Sequence, residues 1–439
     1  MAKVIISFLG TGGYKDKDTR SKGEYREVSY SIDNSEYKSQ YVADVLKQHY
    51  NADRIICIGT VKSMWDGMYS KFVNDDSDSL WEKLYDFSEN SSHKTEIIEA
   101  EFIHDIFKDT LIEPVLIKYG LDKEENEFNI KQLFEIENLL KKGDELYIDI
   151  THGFRSMPIV LVNVLSFLVD NMDIDVKIAK ISYGMFEISH EMDGITPIVD
   201  LDIINELNAT VKASHEFIEY GNSILFSRLL EKVNKSLSNT LSSFSFSRGM
   251  NHIDELIIST QKLRGAKFEG LSFLNKYMID KSIKKYLSYF DRAEKPSHYQ
   301  FEIGRWCFSN GLYGYSVICF QEAILTKMCE IYDLESNRRE RGIVKELVQV
   351  GFGKLKKRES IIKNHIENWN QYERGKPQYI SYILSREHYG SHANIRKIYL
   401  ELRDVRDSVA HALKTENNSP KMVKLITERV ECLKKFVYS

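Results

Sequence analysis

Three short runs rich in Val, Ile, Leu, Phe and Tyr stop in the same way: "VIISFLG" (4–10), "RIICIGT" (54–60) and "ELYIDI" (145–150) each lead into a polar loop that carries glycine. Runs this brief and this apolar suit strands covered on both faces, as in a sheet with helices above and below it. Two further strand signals follow, "DVKIAKISYG" (175–184) and an edge-like "TPIVDLD" (196–202). Between them lie helical patterns; Tyr37, Tyr41, Val42, Val45 and Leu46 predict one helix over 35–50. Strands alternating with helices imply βαβ units and a parallel sheet, hence an α/β Rossmann-like domain over 1–200. Such sheets bind ligands off the carboxyl ends of their strands.

Beyond Asp202 the strand signals fade. Helical patterns cover 203–238, 251–290, 299–334, 340–371, 378–387, 391–414 and 419–437, with a polar break near 238–250 and a charged one at 291–298. The expectation is an all-α connector over 201–298 and an all-α domain over 299–439.

Of the 439 residues, 42% are hydrophobic and 28% charged, the profile of a soluble globular chain of two or three domains. Cys57, Cys307, Cys319, Cys329 and Cys432 form no CxxC pair and no metal-ligand spacing. That argues for a reducing cytoplasm without disulfides or structural zinc. The longest apolar run, Pro158 to Val169, is shorter than the ~20 residues of a membrane span. Net charge is −5, but residues 1–337 carry 38 Lys/Arg against 53 Asp/Glu, whereas 338–414 carry 17 against 9. A basic tract on an acidic chain suggests a local polyanion site, although solvated helix faces would read the same.

The chemistry-bearing residues sit where the strands end. "GTGGY" supplies Gly10, Thr11, Gly12, Gly13 and Tyr14; "GTVKS" supplies Gly59 and Thr60; "THGFRS" supplies Thr151, His152, Gly153, Arg155 and Ser156. Glycines let a backbone approach a ligand, and loop amides can face a phosphate. Thr151 or Ser156 suits a helix cap, with Pro158 in the first turn. Capping leaves His152, Gly153 and Arg155 unexplained, and a guanidinium is a bidentate phosphate partner; a surface His152 and an Arg155 paired to Asp149 or another carboxylate are the structural alternative. None of the loops is GxGxxG or GxxxxGK[ST], which disfavours a nicotinamide-dependent Rossmann enzyme.

A second constellation is "LELRDVRDSVAHAL" (400–413), a helix with Leu402, Val405, Val409 and Leu413 as its apolar stripe. It holds Arg406, Asp407 and His411, an Arg-x4-His pattern. Residues five apart lie roughly 140° apart on a helix, so the pair shares no face. Similar spacings occur at Arg292/His298, Arg358/His365 and Arg386/His392, and a salt bridge from Arg406 to Asp404 or Asp407 is the plain structural reading.

Together "ISFLGTGGY", "DITHGFRSMP" and "RDVRDSVAH" resemble, in order and over essentially the whole chain, the CRISPR-associated ribonucleases of type III systems that join a CARF domain to a HEPN domain. The resemblance implies a Rossmann-like sensor whose loops bind a cyclic oligoadenylate across a homodimer axis, with cyclic tetra-adenylate matching a two-fold site. It implies a HEPN-like C-terminal domain that cleaves single-stranded RNA without metal or other cofactor. Arg406 would stabilise the pentacoordinate phosphate, His411 would shuttle a proton or orient the ribose hydroxyl, and Asp407 would orient Arg406. The competing reading is a non-catalytic regulator whose helical half binds DNA or a protein, but 203–300 shows no recognition helix with a clear basic face.

Overall fold

The structure, a computed structural model, describes residues 2–12, 27–73, 78–153, 156–171, 175–331, 333–335, 341–342, 344–345, 348, 393–410 and 419–439. Gly13, Tyr14, Arg155, His411 and Leu413 lie outside the described residues, as do the helices expected over 340–371 and 378–387 apart from the few positions just given. Two compact units divide the chain, Met1–Asn208 and Ala209–Ser439.

The first unit is built on an eight-stranded sheet. Its strands are β1 (Lys3–Leu9), β2 (Val28–Ile32), β3 (Ser35–Ser39), β4 (Arg54–Gly59), β5 (Ile112–Leu116), β6 (Glu145–Asp149), β7 (Lys177–Gly184) and β8 (Ile195–Asp200). They run in the order β3-β2-β8-β7-β6-β1-β4-β5. The five from β7 to β5 are parallel, with β1 in the middle. Successive side chains of β1 divide between the two faces, as the period of a strand requires. Ile5 and Leu9 enter the core beneath the helices Val42–Tyr50 and Trp65–Phe72. Val4, Ile6 and Phe8 enter the one built with the helix Met157–Asn171.

The sheet is mixed rather than wholly parallel: β8 is antiparallel to β7, and β3 to β2. Strand β8 is no edge, since β2 pairs beyond it. The helix expected over 35–50 begins at Val42; residues Ser35–Ser39 form β3 instead, hairpinned to β2 through Asp33 and Asn34, both with positive φ. Two consecutive left-handed residues make the kind of turn whose twist suits a hairpin.

The second unit is helical throughout its described residues. One core gathers Phe217, Phe244, Tyr286 and Trp306 within the helices that follow Ala209. A second lies among the helices Pro296–Ser309, Tyr313–Ile331, Ala393–Ala410 and Ser419–Val437, around Phe301, Phe320, Ile324, Tyr399, Leu402 and Leu433. The single helix expected over 299–334 is two, because the chain turns at Gly311, whose φ is +72°. The last two helices are clamped by Arg429, which donates to both Glu401 oxygens at 2.7 and 3.2 Å.

Candidate functional site

Among the five parallel strands β1 is followed by β4 on one side, and β6 by β7 on the other, so the direction of travel reverses between β1 and β6. The crevice beyond the carboxyl ends at such a reversal is where open α/β sheets bind ligands. Here it holds a cavity of about 120 Å³ lined by Gly10, Thr11, Gly59, Thr60 and Gly153 over a floor that includes Phe8, Ile58 and Ile117. Three loops far apart in sequence therefore meet at one place.

Each loop end is fixed by buried polar contacts. Ser7 lies level with Asp149 in the β1–β6 register and donates to its Oδ2 at 2.6 Å, while the Thr151 N–H donates to Oδ1 at 2.9 Å. The carboxylate is fully buried. Its negative charge adds to burial in pushing Tyr30 up to about 12 and in raising the Cys57 thiol. On the other side Ser63 accepts the Thr60 N–H at 2.9 Å and donates to the Leu9 carbonyl at 2.7 Å, and the Trp65 indole donates to the Thr60 carbonyl at 2.9 Å. The glycines are sterically required. A Cβ on Gly59 would meet Trp65 Cζ2 at 2.7 Å, and one on Gly153, whose φ is +100°, would meet Phe8 Cγ at 2.9 Å.

Several sequence expectations change at this point. Thr151 does not cap the helix Met157–Asn171; its Oγ1 accepts the Gly184 N–H at 2.7 Å and ties β6 to the end of β7. The helix start is met by Ser156, whose carbonyl accepts the Val160 N–H at 3.3 Å. Thr60 is buried and spent on its own turn. Burial draws the His152 imidazole below the usual histidine range against the opposing pull of Asp149. An uncharged ring at neutral pH can exchange hydrogen bonds but brings no cation to an anion. Thr151, His152 and Ser156 are not among the cavity-lining residues. Ser7, Ser63 and Trp65 were missed as builders of the site; only the Thr-x-x-Ser spacing of "GTVKS" hints at one of them.

In the second unit, Arg406 and Asp407 sit on the helix Ala393–Ala410. Arg406 is half-buried, and its Nε and Nη2 donate to Asp407 Oδ1 at 3.0 and 2.6 Å. Leu402 and Val405 are buried as the stripe requires, but Val409 is 55% exposed beside Gly314, where an added Cβ would lie 3.3 Å from its Cγ1.

Residues 4–185 match the family described as CRISPR system endoribonuclease Csx1, CARF domain. Residues 206–293 match the second domain of CRISPR-associated protein MJ1674. That protein, from Methanocaldococcus jannaschii, is 30% identical in an alignment 367 residues long that covers 79% of this chain and 57% of the relative. The chain is a CARF-containing CRISPR-associated protein. The cavity at the strand reversal thus belongs to the CARF domain, whose 4–185 span takes in all three loops. The chain spans little more than half the length of that relative. A solved structure, Enterococcus italicus Csm6 bound to cyclic hexa-2'-fluoro-hexa-dAMP, aligns with 99% of this chain and 93% of that one, at 12% identity and a TM-score of 0.37. So loose a superposition transfers no site. Among the described residues no helix is long and apolar enough to cross a membrane.

Proposed function

We propose that the protein is a cyclic-oligoadenylate-activated, metal-independent endoribonuclease of type III CRISPR defence, acting on single-stranded RNA as a homodimer. The observation that carries this reading is the CARF match over 4–185 together with the cavity at that domain's strand reversal. At about 120 Å³ the cavity is smaller than the roughly 300–1,000 Å³ of ordinary ligand pockets and suits one phosphate or part of a base. A two-fold cyclic tetra-adenylate would then meet the same loops on two protomers. The missing side chain of Gly153 brings loop backbone close to such a ligand, and Arg155 would add charge.

In the effector half, the 2'-oxygen of a ribose attacks the adjacent phosphorus, the 5'-oxygen leaves, and a 2',3'-cyclic phosphate remains. Arg406 stabilises the charge of the pentacoordinate phosphate, and Asp407 holds the guanidinium in place, a role that its two contacts to Arg406 support. His411 moves the proton between the ribose hydroxyl and the leaving oxygen. Exposure of Val409 one turn from Arg406 suits a helix end that meets a second chain.

The deciding experiment is cleavage of a fluorescent single-stranded RNA in EDTA, with and without cyclic tetra- or hexa-adenylate. Cleavage that needs one ring size, disappears in Arg406→Ala/His411→Ala and loses activator dependence in Arg155→Ala is the expected result. Cleavage that persists in the effector double variant would move the active site elsewhere. If no activator elicits cleavage, the protein is a non-catalytic sensor.

A further inference from the structure

The helix Phe273–Leu287 presents two contrasting faces. Inward, Ile279, Ile283, Tyr286 and Leu287 are buried in the core that also holds Phe217 and Trp306. Its start is fixed by Ser272, whose hydroxyl accepts the Asn275 N–H at 3.2 Å. Outward, the exposed side chains within the helix are Phe273, Lys276, Tyr277, Lys281, Lys284 and Lys285. Phe273 is 84% and Tyr277 55% exposed, yet the two rings are aligned, with centroids 6.0 Å apart and planes 23° from parallel. The Lys281 ammonium lies 5.7 Å from the Tyr277 centroid, continuing the row. Lys284 pairs with Asp280 at 2.7 Å; Lys276, Lys281 and Lys285 form no ion pair among the described residues.

We infer that this face is a stacking platform for single-stranded RNA. Aligned aromatic rings offer π-faces to any base, and three unneutralised lysines beside them attract a phosphate backbone. This is the combination by which proteins hold single strands without reading sequence. The charge decides against an apolar partner: such a surface would desolvate the lysines, whereas a polyanion neutralises them. Anchoring through Tyr286 and Ile283 makes the face rigid, so little ordering cost is met on binding. The basic face escaped the sequence reading of 203–300 because Asp280 interrupts the run and the lysines align only once the helical register is fixed. The platform lies outside both the CARF cavity and the Arg406 helix, and it deepens the ribonuclease reading, on which the choice of RNA rests, by assigning a tract for the substrate.

The test uses the full chain carrying Arg406→Ala/His411→Ala, so that RNA stays intact while binding is read by fluorescence anisotropy with a labelled polyuridine. Adding Phe273→Ala/Tyr277→Ala should weaken binding by roughly five- to a hundred-fold. Adding Lys276→Ala/Lys281→Ala/Lys285→Ala should lower the slope of log affinity against log salt by about 2. In the background with Arg406 and His411 intact, the aromatic pair of substitutions should raise KM for a long strand. All six outward side chains are exposed, so circular dichroism should show an unchanged fold. RNA affinity and salt slope equal to the parent's in both platform variants would overturn the inference while leaving the ribonuclease reading intact. Weakened binding in a protein that cleaves nothing under any activator would keep the platform and remove the ribonuclease. Retention on phosphatidylserine vesicles with no affinity for RNA would overturn the inference in favour of a membrane-surface helix.

Discussion

The Ser63 hydroxyl donates to the Leu9 carbonyl at 2.7 Å, and through this bond the loops at the ends of β4 and β1 hold one shape. The same oxygen accepts the Thr60 N–H, and Ser63 is 1% exposed. Ser63→Ala therefore leaves a buried donor and a buried acceptor unmet, each worth about 1–3 kcal/mol. Denaturant unfolding should show a loss of about 2–6 kcal/mol, the sum of the two penalties. Titration with the activator should show weaker binding, because the Gly59–Thr60 wall of the cavity loses its tie to Leu9 and keeps only the bond from the Met64 N–H to the Gly10 carbonyl at 3.1 Å.

Gly153→Ala should be worse for binding than for folding. A left-handed φ costs a non-glycine residue about 1–2 kcal/mol, and the new Cβ must also displace the Phe8 ring at the cavity floor. Isothermal titration with cyclic tetra-adenylate should register a loss of affinity beyond what the drop in stability explains. Unaltered affinity would show that this loop does not touch the activator.

The pH dependence has a defined sign. The His152 pKa is lowered by burial, so the folded state prefers the neutral ring. Its contribution is intact above the ordinary histidine pKa of about 6.5 and is lost as pH falls below it, where the unfolded chain takes up the proton and the fold resists. His104 and His298 are lowered for the same reason and act in the same direction. Thermal melts should show the wild type losing more stability on acidification than His152→Gln, with the curves converging near neutral pH.

What could be read from the sequence follows from how each residue is used. Strands β1, β4 and β6 are buried on both faces and lead into loops that carry glycine, so their runs and the loops after them stood out. Strand β5, "IEPVL", did not: it is an edge strand, where Pro114 is tolerated, and its Glu113 pairs with Arg54 at 2.6 Å, so no apolar run marks it. Strand β3 was hidden because Tyr37 and Tyr41 are four apart, a helical spacing, although the Asp33-Asn34 turn marked the hairpin. At the site, glycine positions were legible because backbone demands are written in residue type. The roles of Thr151 and Thr60 were not, because hydroxyls that cap, brace or bind look alike until their partners are placed.

Arg406 and Asp407 allow a prediction that separates catalysis from stability. The pair is partly exposed, its side chains 32% and 37% accessible, and such ion pairs contribute about 0–1 kcal/mol. Asp407→Asn should therefore leave the melting temperature nearly unchanged. If Asp407 serves to hold the guanidinium, the amide keeps one acceptor oxygen but loses the charge, and kcat should fall while KM for RNA stays put. If Arg406 meets the developing phosphate charge as proposed, Arg406→Ala should cost more, on the order of 10²–10³-fold in kcat. Arg406→Lys keeps the charge without the planar fork and should fall between the two. Single-turnover cleavage with saturating activator measures all three. A ranking in which Asp407→Asn is as damaging as Arg406→Ala would make the carboxylate a reacting group rather than a positioning one. Cleavage indifferent to both would return the pair to the plain role of a helix salt bridge.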